Sequence, residues 1–335
     1  MFRSVANPVI RLVLAPTLLL FYLSSQGAFL PMLAPIFVVI FLTLMPSLPP
    51  LNMLVKLLAV MIAVCFGVVL LGEQLIDSPT GYGLFCWALF FWSFYRSHEN
   101  PKDLMATFVL LAVIIMSVLN QQFGISSVGL PILMLEASVI ALLVTYVSFL
   151  LFPGDEKEIV PDKEAPRGAN SHLGLIFFKS TAMAIVMASL IGSGSTQSIL
   201  IGITISSMIR VPFSDDHRTF GRNRIATTAI GILFTLPMVV LSIIGWPTWA
   251  LFGATLCLGL QLACFAMRQQ CPMSIYQLLF TNFFVLVSQV LNYQGDDPFT
   301  SHLTRLFSIG VAILIGYIVL NLTHTSSQCV ADKES

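Results

Sequence analysis

Twelve stretches of mostly apolar residues, each close to the length of a bilayer-crossing helix, follow one another along this chain and leave few folds open to it. A membrane helix needs about 20 such residues, with a range of about 17–25. The stretches run over 9–26, 28–45, 53–72, 81–95, 104–120, 131–152, 173–192, 196–211, 225–244, 247–267, 274–292 and 304–322. The fourth is short and aromatic, from Phe85 and Trp87 to Trp92 and Tyr95. It suits a segment lying partly in the headgroup interface, where Trp and Tyr collect. Only 10% of the 335 residues are charged, against about a quarter in a soluble domain, so a water-soluble fold is excluded. The expected fold is an all-α integral membrane protein of about twelve transmembrane helices. The net charge is zero, which gives no basis for binding nucleic acid.

The placement of basic residues tests the count. With the amino terminus in the cytoplasm, Arg3, Arg11, Lys56, Arg96, Lys102, Lys157, Lys163, Arg167, Lys179, Arg210, Arg218, Arg222, Arg224, Arg268 and Lys333 fall on or near the inner side, and Arg305 alone falls outside. Such a bias is the positive-inside signal, and losing one span would scramble it. The chain therefore reads as multi-pass with both termini cytoplasmic. The first stretch is read as a span and not a cleaved leader, because Arg11 interrupts it and its removal would invert the asymmetry.

The sequence also repeats. Pro46 and Lys56 correspond to Pro212 and Arg222, Arg11 to Lys179, and Arg96 with Pro101 to Arg268 with Pro272. Residues 140–152 align without gaps on 311–323, placing Tyr146 opposite Tyr317. All offsets lie between 166 and 172 residues. Six spans per copy is an even number, so the copies insert in the same direction as two parallel six-helix repeats, 1–153 and 173–323. The charged segment 154–172 reads as a cytoplasmic linker and 324–335 as a cytoplasmic tail.

Several side chains stand out against this background. Glu136 is the one acidic residue well inside a span, where a charge costs about 2.5–3.5 kcal/mol on insertion scales. It reads either as a proton-coupling carboxyl or as an interfacial group paired with Arg305. Arg11 and Lys179 either line a positive inner vestibule for an anion or snorkel to the headgroups. Arg218, Arg222 and Arg224 offer carboxylate recognition or a topogenic, lipid-facing cluster. Asn282, beside Phe283 and Phe284, either marks an aromatic-lined pocket or bonds a neighbouring helix. The turn at Gly192 and Gly194 either cradles an anion through backbone N–H groups or is a plain hairpin between helices. Six cysteines without a CxxC, and five scattered histidines, predict free thiols, no metal, no cofactor and no enzyme.

The segment VPFSDDHRTFGRNRIATTAIG before the ninth span resembles the fusaric-acid resistance and aromatic-acid exporter (FUSC-like) superfamily. There an Arg, a Gly-Thr pair three residues on and a Gly three later open the third helix of a repeat. Arg224, Thr228 and Gly231 fit, while Thr227 replaces the first Gly; the first copy keeps only Lys56 and Ala63. The large cytoplasmic domains of longer members have no counterpart, so the chain resembles a membrane-only branch. The resemblance implies an inner-membrane exporter of small aromatic or amphipathic organic acids, driven by the proton motive force beside a HlyD-type periplasmic adaptor. A passive organic-anion channel on the same scaffold, and a non-transporting scaffold subunit, are the alternatives; homo-oligomers are open to all three.

Overall fold

Apolar backbone in lipid satisfies its N–H and C=O groups internally, and the long apolar runs fold as helices for that reason. The computed structural model describes residues 7–28, 30–45, 50–75, 78–100, 103–122, 129–154, 173–194, 197–210, 214–291, 304 and 307–319. Among these residues there are twelve helices and no strand. They are α1 (Asn7–Ser25), α2 (Leu33–Leu44), α3 (Leu51–Gln74), α4 (Pro79–Glu99), α5 (Leu104–Gln121), α6 (Gly129–Leu151), α7 (Leu173–Ser193), α8 (Ser198–Arg210), α9 (Ser214–Ile243), α10 (Thr248–Arg268), α11 (Met273–Leu291) and α12 (Phe307–Val319). The linker beyond Gly154, the tail and Arg305 lie outside the described residues.

Among the described residues seven helices, α1, α3, α6, α7, α9, α10 and α11, are long and apolar enough to cross a membrane. The chain is thus a multi-pass membrane protein. The other five predicted spans coincide with helices outside that set: α2, α5 and α8 are shorter, α12 is described over Phe307–Val319, and α4 is rich in aromatic and polar residues. Twelve residues of α2 rise only about 18 Å, against about 30 Å of hydrocarbon core. Nearly every residue of α2 is buried, so protein rather than lipid surrounds it.

The helices form two compact units. One contains α1, α2, α10 and α11, with α6 from Glu136 and α9 from Asn223. Within it α1 packs on α2, α10 and α11, and α2 and α10 both pack on α11. At the α1–α10 crossing Gly259 has no side chain to hold the helices apart: a Cβ there would lie 2.8 Å from Val13 Cγ1. The other unit contains α4, α5, α7, α8 and α12, with α3 from Lys56 and the first turns of α6 and α9. Within it α7 packs on α4, α5 and α8, and α4 and α8 both pack on α5. Trp87 on α4 donates its indole N–H to Thr181 on α7 at 3.1 Å, and its ring meets Phe177 edge-on at 5.1 Å.

Candidate functional site

The polar interior is concentrated on α9. Its core-facing stripe consists of Arg224, Thr227, Thr228, Gly231, Thr235 and Met238, while Ile225, Leu233, Val240 and Ile243 are exposed. A globular helix in water would do the reverse. In lipid this arrangement is favourable, because the apolar face meets acyl chains and the small polar face meets protein. The threonine hydroxyls bond back into their own helix. Thr227 and Thr228 both donate to the Arg224 carbonyl, at 3.1 and 2.8 Å, and Thr235 bonds the Gly231 carbonyl at 3.0 Å.

Asn282 of α11 faces this stripe. Its Nδ2 donates to Thr228 Oγ1 at 3.0 Å. The single Thr228 proton points at the Arg224 carbonyl, so the hydroxyl has only lone pairs to offer, and the Asn282 amide must present its NH2 side. Its Oδ1 is left buried without a hydrogen-bond partner. The Arg224 side chain is 6% exposed, its Nε also lacks a partner, and it forms no ion pair among the described residues. A buried charge without compensation costs about 3–5 kcal/mol relative to a paired one. Asn282 is thus linked through Thr228 to the main-chain carbonyl of Arg224, and the two residues leave one buried donor, Arg224 Nε, and one buried acceptor, Asn282 Oδ1, without partners.

Arg11 has a different setting. It is 1% exposed, its Nη1 donates to the carbonyls of Phe152 (3.4 Å) and Gly154 (3.2 Å), and its guanidinium lies 4.1 Å from the Phe149 ring centroid. Asn7 Nδ2 adds a bond to the Pro153 carbonyl at 2.8 Å. Helix α6 ends at a proline, its terminal carbonyls need outside donors, and its dipole favours a cation there. The first turn and a half of α1 supplies both. Neither the vestibule nor the snorkelling reading anticipates this clasp, and no short-range signal links Arg11 to a carbonyl more than a hundred residues away.

The other candidates are dispersed. Lys179 is 5% exposed on the stripe of α7 that also carries Ile176, Met183, Met187 and Leu190, so it faces protein. Glu136 is exposed, on the face of α6 that carries Ile132, Val139, Leu143 and Val147. Tyr146 is half-buried on α6 and Tyr317 exposed on α12. The pairing of Glu136 with Arg305, and the side chains of Asp215, Asp216 and Arg218, fall outside the described residues.

One polar cluster escaped the sequence reading. Asp103 caps α5 by accepting the Met105 N–H at 2.9 Å and binds Arg96 of α4 at 2.7 and 2.8 Å. Arg210 of α8 bonds Thr107 one turn further on. The Asp at an N-cap position, seven residues from Arg96, was the available signal.

The profile of a family described as "Protein of unknown function (DUF2955)" matches residues 8–148, that is α1 to most of α6. Neither the curated proteins nor the solved structures contain a match to the chain.

Proposed function

We propose that this protein is an inner-membrane efflux transporter of small aromatic or amphipathic organic acids. Two parallel six-helix copies build it, both termini are cytoplasmic, and a HlyD-type periplasmic adaptor works beside it. The observation that carries the reading is the sign of the buried charge. Arg11, Lys179 and Arg224 are each at most 6% exposed among apolar helices, while Glu136 lies on an exposed face. A low-dielectric interior with fixed positive groups favours anions and repels cations.

The helix pairing supports the duplication. α1 packs on α2 and α10, and α7 on α8 and α4, which is the same pattern with the copies exchanged. The crossing contacts agree: Val13 and Thr181 are 168 residues apart and Gly259 and Trp87 are 172 apart, both within the offset range of the sequence repeat. The family match ends close to the limit of the first copy. Each unit thus combines helices one, two and six of one copy with three, four and five of the other.

A passive anion channel is the second reading, and the exposed position of Glu136 favours it over a carboxyl enclosed for proton transfer. An interior-negative potential of 100 mV supplies about 2.3 kcal/mol per expelled monovalent anion, enough for a gradient of more than tenfold without protons. Reconstitution into liposomes, with benzoate flux, current and lumenal pH recorded together, tests both. Benzoate-dependent flux is expected. Proton movement that stops in Glu136→Gln supports coupling, and large currents unchanged in that variant support the channel. A correctly inserted protein that passes no organic anion under any gradient removes both readings and leaves the scaffold subunit.

A further inference from the structure

The α9–α11 seam has an unusual demand. Arg224 Nε is a buried donor on a cation, and Asn282 Oδ1 a buried acceptor, and neither has a partner. Their residues are neighbours, because Asn282 is bonded to Thr228 and the Thr228 hydroxyl to the main-chain carbonyl of Arg224. Thr228 stands four residues from Arg224, about 6 Å along α9. A simple anion satisfies the arginine and leaves the amide oxygen bare. A neutral hydroxyl can accept from the one and donate to the other, but it leaves the guanidinium charge uncompensated. A ligand that carries both a negative acceptor and an O–H or N–H donor answers the charge and both atoms together.

We infer that Arg224, Thr228 and Asn282 form a binding site for a small monoanion that carries its own hydrogen-bond donor, such as a hydroxy acid. This rests on the organic-anion reading above and narrows it. Arg224 holds the carboxylate through its guanidinium, Asn282 accepts the hydroxyl proton, and Thr228 fixes the orientation of the amide. The selectivity lies in the donor, since an acid without one leaves Asn282 unsatisfied. An anionic lipid headgroup that combines a phosphate with hydroxyls offers the same chemistry from a second source.

The test uses the purified full chain in phosphatidylcholine nanodiscs, titrated with butyrate and with 4-hydroxybutyrate. The hydroxy acid is expected to bind about tenfold tighter, the factor one added hydrogen bond confers. In Asn282→Leu the two acids are expected to bind equally, at the affinity wild type has for butyrate, and in Arg224→Gln both are expected to weaken at least tenfold. Nanodiscs of phosphatidylglycerol separate the sources: stabilisation there that Arg224→Gln abolishes assigns the site to a headgroup, whereas a response to the free acid in phosphatidylcholine assigns it to a solute. Equal affinities in wild type with no phosphatidylglycerol effect, or a preference that survives Asn282→Leu, overturn the inference. The wild-type ratio requires no variant, so a misfolded substitution does not rescue it. Binding without flux in liposomes removes the transport reading and keeps the site; flux with no such binding does the reverse.

Discussion

Replacing Arg11 with methionine is expected to loosen the carboxyl-terminal end of α6. The side chain makes one charge-assisted bond at 3.2 Å, one longer contact at 3.4 Å and a cation–π contact at 4.1 Å. A bond from a charged donor contributes about 1.5–3 kcal/mol, the stretched one less, and the ring contact about 1 kcal/mol, for a gross loss of about 4 kcal/mol. Methionine fills similar volume and removes the cost of keeping a guanidinium away from water, which returns about 2 kcal/mol. The net destabilisation is therefore about 2 kcal/mol. Asn7→Ala, which removes one neutral bond at 2.8 Å, is expected to cost about 1 kcal/mol. Because both side chains hold the same carbonyl row, the double variant is expected to lose a different amount from the sum of the single losses. Equilibrium unfolding by SDS in mixed micelles measures all three. If Arg11→Met is as stable as wild type within about 0.5 kcal/mol, the clasp does not hold α6 and the arginine merely anchors α1 at the headgroups.

Further outcomes follow from other contacts. Gly259→Ala places a methyl 2.8 Å from the stiff Val13 side chain and is expected to destabilise by about 1–3 kcal/mol, with recovery in combination with Val13→Ala; the same unfolding assay reads it. Asp103→Ala removes both the α5 cap and the Arg96 bridge and is expected to cost about 1–2 kcal/mol, whereas Asp103→Asn keeps the cap and loses about half as much. Cys271, in the turn between α10 and α11, has its thiol pushed up by burial, so less thiolate is present at neutral pH. Its maleimide labelling is expected to be slower than that of a free model thiol at pH 7, and the gap to narrow as pH rises through the thiol range.

Helix positions were largely legible because hydropathy reports what lipid selects. The stretch read as 173–192 is the helix Leu173–Ser193, and 131–152 is Gly129–Leu151. The misses have physical causes. α9 begins at Ser214, eleven residues before its apolar stretch, because SDDHRTFGRNR forms helix without being lipid-soluble. α2 begins at Leu33 because Gly27 takes a left-handed φ of 68° and a turn over Leu30–Leu33 precedes the helix. Partners were not legible. Nothing local in Asn282 names Thr228, and nothing in Arg11 names the end of α6, since such contacts depend on which helices meet.

Each compact unit combines helices from the first and second halves of the chain, with α1 lying on α10. The direct measurement is a disulfide between Val13→Cys and Gly259→Cys in a background without other cysteines, with a protease site placed in the 155–172 segment. The Val13 substitution makes room for the second side chain, and the crossing brings the Cβ positions within bonding reach. After oxidation in membranes and proteolysis, the halves are expected to migrate as one band on a denaturing gel and to separate when reduced. Two separate fragments from a correctly inserted protein after oxidation, with cross-linking of α1 found only to helices of its own half, would contradict the exchange.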